Sequence, residues 1–345
     1  MEEGKINSLT GMRGLFAIAI LLFHWGGEFA YPAETILNVL YREGGNLGNA
    51  FFFMCSGFLI AYRHLEKLCN GKEEKLFFLK RRILSIYPIY FLSEIISVVL
   101  NACTYGIKSI TFQDILFDLL MIRTGWVYDE FPNTVVGWFV CILLICYVLF
   151  CIIALIVEKT RINPAYLAIV LSVFGLCIQN HPLNIPFLYG HNGTGIFNFF
   201  MGVTLAIALN ESSKRREKIC GALLLLFCCI WVYMEYIFKY PEWMGRSHIV
   251  YTMCLFPLVF ATMNTLPVRF LGKIFYPFGL FSKYIIFLHM PIYYAMRMIL
   301  PSNYILIGPN MTFLIFLTAL VLTSFVLYIL EKWVKRKYAL LRGIK

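Results

Sequence analysis

The sequence predicts an all-α membrane protein that crosses the bilayer about ten times. Of its 345 residues, 60% are hydrophobic and 14% are charged, whereas soluble domains carry about 45–50% apolar and about 25% charged residues. The mean hydropathy is +0.74. A spanning helix needs about 20 apolar residues, so the chain has material for about ten of them and little for a soluble module. We therefore expect one transmembrane domain over residues 1–345.

Ten apolar runs bounded by charged or turn residues are the predicted spans. They fall at 10–29, 46–64, 83–104, 135–157, 164–181, 193–210, 219–238, 248–266, 274–296 and 310–330. The first run contains Arg13 and is longer than the apolar part of a signal peptide, so we expect it to be retained as a span. An amphipathic segment at 111–122 carries Asp114 and Asp118 one helical turn apart and is expected to lie at the interface.

The distribution of basic residues predicts that both termini are cytoplasmic. The formal net charge is +11, from 30 Lys and Arg against 19 Asp and Glu. With a cytoplasmic N-terminus, 23 basic residues fall in inside segments, 6 fall outside, and Lys283 lies within a span. This bias follows the positive-inside rule. Because no basic, aromatic stripe accompanies the charge, we expect no nucleic-acid partner.

The 11 cysteines lie almost all within apolar runs. They form no CxxC pair, and no His/Cys cluster has the spacing of a zinc site. Free cysteine in such runs behaves as a small hydrophobic residue. We therefore expect no disulfide framework and no metal.

The first span carries two polar residues, Arg13 and His24, which are costly inside a membrane. Eleven positions separate them, so a helix places both on one face, about 16 Å apart. Taken singly, Arg13 fits an arginine that reaches the interface, and His24 fits a helix–helix hydrogen bond. Their common face favours a polar path through the bundle.

Two further segments carry candidates near the second and third spans. Ser56 and Gly57 interrupt an apolar run and allow close approach of either another helix or a thin ligand. Lys80, Arg81 and Arg82 form a cytoplasmic cluster that suits the phosphates of a cofactor or of lipid headgroups, or that only sets topology.

The last two spans add three more candidates. His289 lies toward the outer end of the ninth span, about two turns from Ser282 and Lys283, and Pro291 loosens the helix beside it. Glu331 lies at the cytoplasmic end of the last span. It is either an ordinary interfacial carboxylate or the partner of a basic residue such as Arg13 or Arg82.

Six motifs in order resemble the integral-membrane acyltransferase family three, the sugar and peptidoglycan O-acetyltransferases. They are Arg13 with His24, FFFMCSGFLI at 51–60, the basic stretch leading into IYP at 86–88, GWF at 137–139 with Trp138 at its centre, SKYIIFLHMP at 282–291 and YILEK at 328–332. Family members usually carry an arginine three residues before the proline of the third motif. Ser85 stands there in this chain. If that arginine touches the cofactor, either Arg82 substitutes for it or the affinity for the cofactor is reduced.

The resemblance implies acetyl-CoA, or another short acyl-CoA, as cytoplasmic donor and a hydroxyl of an extracytoplasmic or lipid-linked glycan as acceptor. It also implies a multi-pass protein of the cell (inner or plasma) membrane, surrounded by membrane lipids. With this chemistry, His24 suits the general base, and Arg13, Arg81 and Arg82 suit the donor phosphates. His289 suits orientation of the acceptor or stabilisation of the oxyanion. Direct transfer and an acyl-histidine intermediate both remain open.

Two rival functions also remain open. A transporter or flippase for a lipid-linked sugar would explain inward-facing polar residues without needing His24, although the chain shows no internal repeat. A different class of membrane acyltransferase, with a lipid or protein acceptor, would use His181, His191 or His289 as its base. We interpret His64, His181, His191 and His248 as loop or boundary residues.

Overall fold

The computed structural model describes residues 3–29, 38–107, 110–209, 214–238, 249, 251–299 and 309–341. These ranges are overwhelmingly helical, with a single isolated bridge between Thr124 and Tyr128 as their only β pairing. The all-helical prediction is therefore confirmed. The helices are α1 (Glu3–Phe29), α2 (Asn38–Cys69), α3 (Lys75–Tyr105), α4 (Phe112–Leu119), α5 (Gly137–Thr160), α6 (Pro164–Asn180), α7 (Gly190–Ala208), α8 (Lys214–Phe238), α9 (Phe256–Ala261), α10 (Leu266–Ile274), α11 (Tyr276–Leu280), α12 (Ser282–Ile299) and α13 (Pro309–Leu341).

Several of these helices have the length and composition of membrane spans. Within the described ranges five qualify, and α9 with α10 makes a sixth if that bent pair counts as one span. The five are Ile6–Trp25, Glu43–Cys69, Lys75–Tyr105, Gly137–Thr160 and Met311–Lys337. The membrane character of the fold is confirmed, while the count of about ten, the cytoplasmic termini and the single domain over 1–345 stay predictions.

The predicted spans at 248–266 and 274–296 have different boundaries in the structure. A π-helical turn at Tyr251–Leu255 leads into α9, and α10 follows at an angle of 86°. Pro267 and Pro277 lie in the first turns of α10 and α11, where proline favours a new helix start. The long apolar run is therefore divided, and the helix that carries His289 begins only at Ser282.

Helix α2 lies at the centre of the bundle and packs against α1, α5 and α7. Its Phe51 stacks on Phe16 of α1, with ring centroids 4.1 Å apart. On the opposite side, a Cβ atom at Gly57 would lie 1.9 Å from the carbonyl oxygen of Phe199 in α7. Of the two interpretations of Gly57, the structure favours close helix packing over contact with a ligand.

Helix α1 approaches α10 and α11 just as closely, through glycines. A Cβ atom at Gly11 would lie 1.8 Å from the carbonyl oxygen of Gly272, and one at Gly279 would lie 1.9 Å from that of Thr10. These contacts are between backbones, which side-chain rotation cannot relieve. They fix the N-terminal half of α1, the helix that carries Arg13 and His24.

Replacing Gly279 by alanine is expected to destabilise the fold by about 1–3 kcal/mol, because the added methyl overpacks a backbone contact. Thermal unfolding of the purified protein in detergent measures this as a lowered melting temperature. Gly221→Ala in α8 is the matched control, since its Cβ would meet nothing nearer than 3.8 Å. Equal melting temperatures for the two variants would contradict the packing argument.

Candidate active site

The two histidines singled out from the sequence face each other in the bundle. His24 of α1 and His289 of α12 have ring centroids 5.0 Å apart and planes inclined by 42°. His289 is 1% exposed, and its Nδ1–H donates to the carbonyl oxygen of Ile285 at 3.1 Å. That bond assigns the neutral ring its lone pair on Nε2, which has no partner among the described residues.

Pro291 explains how α12 is held beside this pair. Proline lacks an N–H, so the carbonyl four residues earlier, on Phe287, receives no helical hydrogen bond. The Ser93 hydroxyl of α3 donates to that carbonyl oxygen at 2.6 Å. The proline near His289 therefore creates an acceptor that ties α12 to α3.

A small cavity of about 20 Å³ adjoins His24. It is large enough for about one water molecule. Trp138 of the GWF motif helps to form its wall, together with a polar amide on α2, Asn49. The complete lining is Ile20, His24, Asn49, Phe52, Val136, Trp138, Phe139 and Ile286. The structure thus brings Trp138 to the same site as His24, with residues of α1, α2, α5 and α12 around it.

Arg13 is half-buried and lies nearer the N-terminus of α1 than His24 does. Its charge and that of Arg82 both act on the Tyr147 phenol of α5, and Arg13 also acts on Cys55 of α2. Arg82 and Tyr147 line a crevice of about 10 Å³. Arg82 therefore lies beside Tyr147, and the charge of Arg13, from a distant part of the sequence, also acts on this tyrosine.

The basic cluster at the start of α3 already has protein partners. Arg82 donates to His64 Nε2 at 2.5 Å, and His64 Nδ1 lies 2.7 Å from a carboxylate oxygen of Glu73. Arg81, 49% exposed, pairs with the same Glu73. His64, interpreted from sequence as a boundary residue, instead links α2 to this cluster. Because Glu73 neutralises Arg81, Arg82 is the better placed of the two for a ligand.

Glu331 does not contact either arginine proposed from the sequence. It pairs with Lys283 of α12 at 2.5 Å and with Lys335 of its own helix at 2.5 Å. Glu331 is therefore the partner of a basic residue, but that residue is Lys283 rather than Arg13 or Arg82. The physical reason is that α13 packs against α12 rather than α1 or α3 at this level. Ser282 is buried and donates to the Gly279 carbonyl oxygen at 3.0 Å, which supports the turn that begins α12.

The remaining predicted histidines lie away from the central pair. His181 follows the end of α6 and is exposed, and His248 lies outside the described residues. His191 is half-exposed and sits 2.9 Å from an oxygen of Asp129, with its ring 5.2 Å from that of Trp138. Ser56 is half-buried on α2. Within the described ranges, no group of three or more His, Cys, Asp or Glu residues could hold a metal ion.

A buried carboxyl pair was missed from the sequence. Glu94 of α3 and Asp118 of α4 are fully buried, and their carboxyl groups lie near enough to interact electrostatically. Glu94 accepts from the Thr134 amide at 3.1 Å, and Asp118 accepts from the Asn133 side chain at 2.7 Å. Burial raises the pKa of the Asp118 carboxyl. Since two neighbouring carboxylates repel, we infer that the pair holds one proton.

This pair lies one residue from the contact that holds α12. Ser93, next to Glu94, also shares a hydrogen bond of 2.9 Å with Thr134, so the segment before α5 is joined to α3 and α12. An acidic residue inside an apolar run was the available signal for Glu94. Its partner could not be named, because Asp118 lies 24 positions away on a separate helix.

Comparison with known proteins places the chain in a family. A family model described as an acyltransferase domain matches residues 6–330. The chain is also 33% identical, over 98 residues, to a curated protein of Rhizobium radiobacter named "Protein 2 in picA locus". That stretch covers 28% of this chain and 46% of the relative, less than half of its length. No solved structure matches the chain.

The family match covers nearly the whole chain. It includes Arg13, both central histidines and Trp138, the positions on which the sequence resemblance rested. The family resemblance inferred from those motifs is confirmed, and the described helices have the membrane character that it implies. The chain belongs to integral-membrane acyltransferase family three.

Proposed function

We propose that this membrane acyltransferase moves an acetyl or other short acyl group from cytoplasmic acyl-CoA to a hydroxyl of an extracytoplasmic or lipid-linked glycan. The observation that carries the proposal is the His24–His289 pair, with ring centroids 5.0 Å apart beside a cavity of about 20 Å³. Two imidazoles beside a small cavity that also holds the Asn49 amide suit proton removal from a hydroxyl. The same pair has no evident use in moving an intact glycan.

The hydrogen bond of His289 favours one of its two proposed roles. With Nδ1–H committed to the Ile285 carbonyl, the neutral ring offers only an acceptor at Nε2. It therefore suits orientation of the acceptor hydroxyl more than donation to an oxyanion. His24 then takes the hydroxyl proton as the oxygen bonds to the acyl carbon, the carbon–sulfur bond breaks, and the proton passes to the CoA thiolate. An acyl-histidine route would use the same two rings.

On the donor side, Arg13 and Arg82 are the proposed phosphate or carbonyl contacts. Arg13 shares a helical face with His24 and lies about 16 Å from it along α1. Arg82 approaches the same Tyr147 from α3. This arrangement supports a donor that enters near the arginines and extends its thioester toward the histidines.

We also propose that the chain spans the cell (inner or plasma) membrane about ten times with both termini cytoplasmic, among membrane lipids and without a metal or nucleic acid.

Arg82→Gln is expected to raise the KM for acetyl-CoA about 10-fold or more, because a charge-assisted hydrogen bond to phosphate contributes about 1.5–3 kcal/mol. Steady-state kinetics on purified protein measure this effect. Arg81→Gln is the matched comparison and should raise the KM less, because Glu73 already holds that guanidinium. Accessibility of a C-terminal tag must be checked, since loss of positive charge can invert a span. A larger effect at Arg81 would contradict the assignment.

The proposed function is tested by following both substrates in proteoliposomes. Labelled acetyl-CoA is supplied on the side of the C-terminal tag, with glycan acceptor on the other side, and transfer of label to the glycan is measured. Chemical analysis of surface polysaccharide from cells with and without the protein identifies the acylated hydroxyl. Glycan movement without loss of the thioester would instead support the flippase. Label on lipid or protein would support the other acyltransferase class.

A further inference from the structure

A cavity lined by described residues lies apart from the histidine pair, and neither His24 nor His289 is among its lining residues. It has a volume of about 290 Å³ and lies between the first turns of α1 and the short helices α10 and α11. Asn7 and Ser8 line it from α1, Arg269 and Lys273 from α10, and Tyr276 from α11. Its volume is near the lower end of the range for small-molecule sites.

Among the described residues, no acidic side chain neutralises the charge of this cavity. Arg269 and Lys273 lie four residues apart on α10, and both are exposed. Within the described part of the chain neither side chain has an ion-pair partner, and none of the residues lining the cavity is acidic. By contrast, Arg81, Arg123 and Lys75 each have a carboxylate partner. The two unpaired basic side chains therefore favour binding of an anion in this cavity.

The helix that carries these cations has the features of an interfacial helix. It meets α9 at 86°, as a segment along a membrane surface would meet a span. Leu266, Phe270 and Ile274 recur every four residues, and their exposed fractions are 81%, 59% and 49%. An exposed apolar stripe beside basic residues is typical of helices that lie in the headgroup region.

The cavity opens on a different side of α1 from the proposed donor path. At 100° per residue, Ser8 is about 140° around the helix from Arg13 and about 160° from His24. A ligand bound there is therefore not in line with the histidines. This separation favours an occupant from the surrounding membrane over the nucleotide of an acyl donor.

We propose that this cavity binds the headgroup phosphate of an anionic phospholipid. Arg269 and Lys273 hold the phosphate, Asn7 and Tyr276 offer hydrogen bonds to the headgroup, and the acyl chains lie along the exposed stripe of α10. The bound lipid would join α10 to the first turns of α1, where the two backbones meet at Gly11 and Gly272. This proposal does not depend on the acyl-transfer proposal.

Native mass spectrometry of the full chain in detergent tests this site. Phosphatidylglycerol is titrated against phosphatidylcholine with identical acyl chains, and the wild type is expected to retain phosphatidylglycerol selectively. Arg269→Gln with Lys273→Gln should weaken that binding about 30-fold, as expected for two basic residues near an anionic headgroup. The control pair is Lys332→Gln with Arg336→Gln, which has the same spacing on α13 and should leave binding unchanged.

A second variant distinguishes binding of the lipid in the cavity from nonspecific electrostatic attraction to the protein surface. Asn7→Trp fills the space without changing charge and should also weaken phosphatidylglycerol binding, with melting temperature confirming an intact fold. No lipid preference in the wild type, an equal loss in the control pair, or full binding by Asn7→Trp would each overturn the proposal. Displacement of the lipid by adenosine 3′,5′-bisphosphate would overturn it in favour of the donor nucleotide.

Discussion

His24→Asn is expected to abolish acyl transfer, with a loss of at least about 10²-fold in kcat. Asparagine can keep a hydrogen bond at this position, but an amide cannot accept the hydroxyl proton. The wild type should also lose turnover on the acidic side of its pH profile, because a protonated imidazole is no longer a base. Label transfer from acetyl-CoA at several pH values, with CoA binding measured separately, provides the test.

The control for His24 is His191, another histidine whose ring lies near Trp138. His191→Asn should keep activity, because His191 pairs with Asp129 and is not among the residues lining the His24 cavity. Wild-type turnover in His24→Asn would mean that α1 has only a structural role, and would favour the flippase. Loss of turnover in His191→Asn alone would favour the other acyltransferase class.

His289→Ala is expected to lower kcat by about 10²-fold, the cost typical of removing a positioned polar group from an active site. His289→Gln should recover part of this loss, because its amide can again orient a hydroxyl. The KM for acetyl-CoA should change little in either variant, since the ring lies at the acceptor end of the proposed path. Steady-state kinetics that separate kcat from KM measure both variants.

Ser282→Ala supplies the comparison on the same helix. Ser282 is as buried as His289, yet its hydroxyl bonds only the Gly279 carbonyl at the start of α12. We expect lower thermal stability with kcat retained. If His289→Ala and His289→Gln both turn over as the wild type does, α12 has a structural role only.

The sequence was informative wherever a local pattern carries the chemistry. The spacing of Arg13 and His24 is a property of one helix, so it could be read without a structure. The partners of charged residues could not be read in this way. Glu331 pairs with Lys283, and Glu94 with Asp118, because of how separate helices pack. Nothing in either local sequence specifies that packing.

The divided ninth span shows a second limit. Hydropathy averages over the residues at 274–296 and takes no account of backbone geometry. Pro277 and the turn before Ser282 break that run into two helices. The residues of α10 fall between the predicted spans at 248–266 and 274–296, where the sequence indicates only a connecting segment. The cavity beside Arg269 could therefore not be anticipated.

The hydrogen bond between Ser93 and the Phe287 carbonyl fixes the position of α12, and so of His289, along α3. A carbonyl without a donor in hydrocarbon costs several kcal/mol, and Pro291 ensures that its own helix cannot supply one. Sliding α12 along α3 would remove the Ser93 donor without offering another from α12 itself. Helix α12 therefore has one preferred register relative to α3. The position of the His289 imidazole is thus fixed by Ser93, a residue that takes no part in the proposed proton transfer.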